Sequence, residues 1–273
     1  MKKEAKYKPK KRAKLRLILG KQYFTFRRKL LWLKLRKFFA KEKADVLEFD
    51  VFQHKSLLIR PLKDVDLWLQ HNKVHNLSLA IKKIDSIIIK PGETFSFWYL
   101  VGKTGKNKGY KKGMNLENGK VVARYGGGIC QLGNLIYWMV LHSELTVKER
   151  WRHSYDVFPD VNRTLPFGSG ATLSYNYIDL QFENNTNKVF QIKLWLDDKF
   201  LNGKILSNIT VENNYKVYED KHIIKNEFWG GYTRHNSILR DTINRKGEII
   251  KTEIVTNNHA IMMYNPMLES GGK

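Results

Sequence analysis

The stretch Tyr125-Gly126-Gly127-Gly128-Ile129-Cys130-Gln131, continuing through Leu132-Gly133-Asn134-Leu135-Ile136-Tyr137-Trp138-Met139-Val140-Leu141, decides the fold. Three successive glycines break regular structure, and the run 132–141 behind them is apolar on nearly every side. A helix apolar all round is one buried in a core. Just upstream, Asn118-Gly119 separates the apolar runs 114–116 and 121–123, which predicts a two-residue hairpin. Downstream, residues 146–158 alternate, with Val147, Trp151, His153, Tyr155 and Val157 on one face of a predicted strand. Residues 178–182 and 189–196 flank Asn184-Asn185-Thr186-Asn187 and read as a hairpin, with 200–206 pairing next. From about Lys216 the pattern is again strands, with a turn at Arg245-Lys246-Gly247-Glu248.

Further out, Asn72 reads as the cap of a helix carrying Val74, Leu77, Ile81, Ile84 and Ile88. Pro91-Gly92 ends it, and 94–100 reads as a strand. The expected fold is therefore α+β: a buried central helix packed on a mainly antiparallel sheet, preceded by a basic helical N-terminal arm. The expected domains are the arm (1–43), an α+β body (44–206) and a β-rich C-terminal extension (207–273).

Charge separates the arm from the rest. The 273 residues hold 49 Lys and Arg against 26 Asp and Glu, a net of +23. Residues 1–43 carry 18 of the basic and 2 of the acidic groups, a net of +16. The other 230 carry 31 and 24, a net of only +7. On a helical wheel Phe24, Leu31, Trp32, Leu35, Phe38 and Phe39 share an arc, into which Arg28 intrudes. That arrangement suits a helix lying on an anionic membrane surface, or one packed on its own domain. Nucleic acid is the weaker partner, since no recognition module accompanies the charge. No apolar run is long enough for a transmembrane span or a secretory signal, so the expected place is the cytoplasm, peripheral on the inner face of the membrane.

The single cysteine excludes an internal disulfide and any multi-thiolate zinc site. Cys130 opens the buried helix, where the positive end of the helix and its unpaired N–H groups favour a thiolate. The glycines before it leave room for a substrate backbone. A helix from Cys130 to Ser143 is about 20 Å long at ~1.5 Å per residue. A strand from Thr146 returns about 23 Å by His153 at ~3.3 Å per residue. This brings His153 level with Cys130 as a candidate general base. The same residues also fit a small buried hydrophobe and a satisfied core histidine. Asp156 points to the opposite face, which leaves Asp179 and Asn176 open as orienting groups. Arg152 and Arg163 are candidates to grip a carboxylate or phosphate, while Arg150 reads as part of a solvated face. His142 suits the helix dipole. His71 and His75 lack a third ligand, so no metal is expected, and nothing calls for a cofactor.

The motifs Pro91-Gly92-Glu93-Thr94-Phe95-Ser96-Phe97, Tyr125-Gly126-Gly127-Gly128-Ile129-Cys130-Gln131 and His153-Ser154 resemble the VanW family, as do Gly170-Ala171-Thr172, Ile178-Asp179-Leu180 and Asn184-Asn185-Thr186. The resemblance covers about 72–197. It implies a role near cell-wall peptidoglycan alongside glycopeptide resistance, with a peptidoglycan peptide or precursor as partner. It also implies transpeptidase-like chemistry on a cysteine. Cys130 and His153 match the family's cysteine and histidine, and Gly126, Gly127, Gly128 and Gln131 match the motif around them as substrate-binding residues. Two departures stand out: Gly133-Asn134-Leu135 where many members carry Ser-Thr-Thr, and Gly170 where many carry Asp before Ala-Thr.

Overall fold

The computed structural model describes residues 13–60, 66–117, 119–159, 164–175 and 177–269. Its helices are α1 (Lys14–Lys34), α2 (Leu67–Ile84), α3 (Phe97–Val101), α4 (Cys130–Leu141) and α5 (Pro266–Glu269). Its strands are β1 (Phe49–Leu57), β2 (Ile87–Ile89), β3 (Thr94–Ser96), β4 (Lys112–Glu117), β5 (Lys120–Tyr125), β6 (Thr146–Glu149) and β7 (Tyr155–Asp156), followed by β8 (Gln181–Glu183), β9 (Phe190–Leu196), β10 (Phe200–Ser207), β11 (Asn214–Asn226), β12 (Tyr232–Ile243) and β13 (Ile249–Met262).

The α+β expectation holds, and α4 is its centre. Leu132, Ile136, Met139 and Val140 are fully buried, and α4 packs on β1 and β10. Those strands belong to a sheet ordered β1-β10-β9-β2 with antiparallel pairs throughout. The predicted hairpin pairs β4 with β5, Glu117 standing opposite Lys120. A second sheet, β11-β12-β13-β7, is antiparallel except where β13 runs parallel to β7.

Four local expectations change. The helix α2 begins at Leu67, not after Asn72, whose side chain instead donates to the Lys112 carbonyl at 2.9 Å and helps hold the β4 hairpin; it also ends at Ile84, well before Pro91-Gly92, and Ile88 lies in the strand β2. The predicted strand 94–100 stops at Ser96. The Ser96 hydroxyl caps α3 by accepting from Tyr99 N, and the buried Asp179 carboxylate accepts from Trp98 N at 3.0 Å. These two acceptors reward a helical turn over further strand. The run 178–196 is not a hairpin: β8 pairs with β3 and β6, whereas β9 pairs with β10 and β2, so the 184–187 turn joins two sheets. The alternating run 146–158 is likewise two short strands, with 150–154 between them. Arg150 explains the break. Its guanidinium lies over the Tyr137 ring and donates to the carbonyls of Gly168 and Gly170, so it is buried and spent on the fold, not part of a solvated face.

Candidate functional site

The first turn of α4 grows out of the β4–β5 hairpin through the three glycines. Gly126 and Gly128 have φ of 77° and 92°, a region side chains avoid. Gly127 lies against the backbone of Gly113: a methyl carbon on it would sit 2.1 Å from the Gly113 carbonyl oxygen. The space a side chain on Gly128 would need holds the stem of Lys73, and that beside Gly126 holds Thr104. Asn76 fixes the junction, donating to the carbonyls of Gly127 (2.9 Å) and Lys111 (3.0 Å). The room left by the glycines is thus taken up by this chain itself. The Gln131 amide is also committed, donating to Ser56 Oγ and the Leu57 carbonyl and so tying α4 to the end of β1.

At the head of the helix the N–H groups of Gln131, Leu132 and Gly133 bond to the carbonyls of Gly128 and Ile129. Among the described residues, those of Gly128, Ile129 and Cys130 have no backbone acceptor. The Cys130 thiol donates to the Leu173 carbonyl at 3.8 Å. Burial pushes its pKa above the ordinary thiol value, offset in part by backbone hydrogen bonds at Leu173 and Cys130. The helix terminus therefore does not produce a thiolate here, because desolvation outweighs the dipole.

His153 lies in the 150–154 segment, not on a strand. Burial lowers its pKa, so the ring is neutral at pH 7, and it forms no hydrogen bond with Cys130. What joins the two is a third segment. Thr172 N donates to the Trp151 carbonyl at 2.7 Å, and the next residue, Leu173, carries the carbonyl that receives the thiol. Both segments hold polar atoms with no described partner: Nη1 of Arg152 and Oγ1 of Thr172 are buried and unbonded. An unsatisfied buried donor or acceptor costs about 1–3 kcal/mol; Arg28 Nη1, Trp32 Nε1 and Asn258 Oδ1 are buried and unbonded in the same way. Thr172 carried no sequence signal beyond its place in the Gly170-Ala171-Thr172 motif.

The candidate orienting groups are occupied elsewhere. Asp156 pairs with the buried Arg234 at 3.2 Å and accepts from the Tyr264 hydroxyl at 3.0 Å. Asp179 accepts from Ser96 Oγ, Trp98 N, Leu180 N and Gln181 Nε2, and burial raises its pKa. Asn176 and Arg163 lie outside the described residues. His142 does not serve the helix dipole as a cation. It stacks on Phe52, bonds the Trp138 carbonyl through Nδ1, and burial takes its pKa to about 4.

The two departures from the family pattern meet in space. Asn134 Oδ1 accepts from Ala171 N at 2.7 Å and would lie 2.7 Å from a methyl on Gly170, while Leu173 fills the place a side chain on Gly133 would take. Sequence reasoning missed Lys73. It is 4% exposed, makes no ion pair or hydrogen bond among the described residues, and burial with the nearby Arg60 charge lowers its pKa to about 8. Among the described residues no three His, Cys, Asp or Glu side chains converge as a metal would require.

The family described as VanW like protein matches residues 72–206, a span that contains α4, Cys130 and His153. Vancomycin B-type resistance protein VanW of Enterococcus faecalis (strain ATCC 700802 / V583) is 35% identical over 224 residues, covering 82% of this chain and 81% of that protein. Uncharacterized protein YoaR of Bacillus subtilis (strain 168) is 36% identical over 122 residues, covering 45% of this chain and 39% of that protein. No solved structure matches the chain.

Proposed function

Since the chain belongs to the VanW family, we propose that it works at the cell wall, in the glycopeptide-resistance setting named by its enterococcal relative. Its chemistry is thiol acyl transfer on peptidoglycan stem peptides or their precursors. The observation that supports this reading is the pair of unsatisfied groups, Arg152 Nη1 and Thr172 Oγ1, on the two segments that adjoin Cys130 and His153. A peptide with a carboxylate and several amides supplies the acceptors and donors these groups lack.

His153, held neutral by burial, takes the proton from Cys130 Sγ. The sulfur bonds to the carbonyl carbon, and the oxyanion is received by the N–H groups of Gly128, Ile129 and Cys130. Collapse breaks the C–N bond, the amine leaves with the proton from His153, and a thioester remains. An incoming amine or water then breaks the C–S bond, and the thiol regains its proton. Arg152 grips the peptide carboxylate.

One observation favours a second reading. The thiol has a raised pKa and is committed to the Leu173 carbonyl, as a structural cysteine is. On that reading the protein binds precursors without turning them over. Binding of a fluorescent stem peptide and its covalent capture separate the two. Acyl transfer requires a thioester adduct lost in Cys130→Ala and slowed in His153→Ala, with binding weakened in Arg152→Gln. An accessory protein gives binding that survives Cys130→Ala and forms no adduct. No binding to the wild type, or binding indifferent to Arg152→Gln, rejects the site in either form.

A further inference from the structure

The helix α1 carries two apolar faces, and the body uses only one. Trp32 packs edge-on to Tyr99 at 6.0 Å, Phe39 is 3% exposed and stacks on the same ring, and Ala40 N bonds the Thr94 carbonyl. Arg28, the apparent intruder on that arc, donates to Glu149 at 2.7 Å and lies 3.9 Å from Asp179. Of the arc read from the sequence, Trp32 and Phe39, with Arg28 on the same side, dock the arm onto the protein, whereas Phe24, Leu31 and Phe38 stay exposed.

At 100° per residue, the opposite side of the helix presents Leu15, Leu19, Tyr23, Phe26, Leu30 and Leu33 in one stripe. Each is at least half exposed, from 50% at Leu30 to 67% at Leu15. Arg16, Arg27 and Lys34 flank the stripe on one side, and Lys29 on the other. No acidic residue occurs from Ala5 to Lys41. Between the helix and the body runs an open groove of about 420 Å³ lined by Phe24, Leu31, Arg27, Lys34 and Tyr177, which combines apolar walls with cations.

We infer that α1 seats this protein on the surface of an anionic lipid bilayer through the stripe Leu15, Leu19, Tyr23, Phe26, Leu30 and Leu33. The stripe enters the boundary of headgroups and acyl chains, and the flanking cations meet lipid phosphates. The charge selects this occupant. The stripe has a spacing on which a second copy could pair, but both copies would bring only cations to the flanking positions, where pairing helices place opposite charges. The helix is not a span: no described helix is long and apolar enough to cross a membrane. Because Arg28 and Trp32 fix α1 to the body, docking would also set the orientation of α4 to the membrane. None of this rests on the chemistry of Cys130.

The test is flotation of the full chain with vesicles of phosphatidylcholine, with and without phosphatidylglycerol, alongside Phe26→Glu/Leu30→Glu. Both positions are exposed, so the variant keeps its unfolding midpoint, and it keeps every basic residue. Wild type should bind only the anionic vesicles, about tenfold more weakly at high salt than at low, and the variant should lose about tenfold or more at equal salt. Equal binding by variant and wild type would reduce the arm to a basic tail and overturn the inference. So would no preference for anionic vesicles, a dimer in sedimentation that the double substitution abolishes, or duplex RNA retained in place of lipid.

Discussion

Replacing Lys73 with Met removes one ammonium group and keeps the aliphatic stem that lies over Gly128. Among the described residues this buried ammonium has no counter-ion, and its pKa falls from 10.5 to about 8, chiefly through desolvation and then through Arg60. At ~1.4 kcal/mol per pH unit, the buried charge costs on the order of 3 kcal/mol at pH 7. The sign follows from the proton balance. Between pH 8 and 10.5 the unfolded chain holds a proton that the folded one has released, so stability rises with pH over that interval. Below pH 8 both states hold it and the whole penalty is present. Lys73→Met should therefore stabilise the protein by about 2–3 kcal/mol at neutral pH, raising the melting midpoint at roughly 2–4 °C per kcal/mol. The gain should fade toward zero near pH 10.5. Urea unfolding of both proteins at pH 7 and at pH 10 measures this directly. A destabilised variant at pH 7, or a difference that does not change with pH, would refute the reasoning and mean that the ammonium has a partner.

Asp179→Ala leaves Ser96 Oγ, Trp98 N and Gln181 Nε2 without their acceptor and should cost about 3 kcal/mol or more in thermal unfolding, whereas Asp179→Asn should recover part of this. Gly127→Ala should cost about 3 kcal/mol or prevent folding, since backbone at Gly113 cannot yield to a methyl 2.1 Å from its oxygen; Gly20→Ala, in open space on α1, should be neutral or mildly stabilising by the same assay. Without ligand, Cys130 should react with iodoacetamide more slowly than free cysteine at neutral pH, its rate rising only above the usual thiol range, because burial holds it as a thiol.

The parts of the fold that were legible in sequence are those governed by local chemistry. The Asn-Gly signal in the sequence is enough to predict the pairing of β4 with β5, and the all-apolar run before Leu141 has nowhere to go but the core. The misread parts depend on long-range acceptors. Strand 94–100 turns into α3 because Asp179, 81 residues from Trp98, waits for its N–H, and strand 146–158 breaks because Arg150 reaches carbonyls 18 and 20 residues ahead. On α1 the periodicity showed one apolar arc but not that Glu149 would claim Arg28 within it. At the site, Cys130 and His153 stood out as residue types. The bond from Cys130 Sγ to the Leu173 carbonyl, and the burial of a Lys73 ammonium that has no partner among the described residues, follow only from packing, which no spacing rule encodes.

The most direct measurement is the intact mass of the protein after incubation with a peptidoglycan stem peptide and acid quench. Acyl transfer at Cys130 predicts a mass increase equal to the acyl fragment, placed by peptide mapping on the segment that contains Cys130, absent in Cys130→Ala and slower to form in His153→Ala. Bound peptide with an unchanged protein mass, or an adduct that persists in Cys130→Ala, would contradict it.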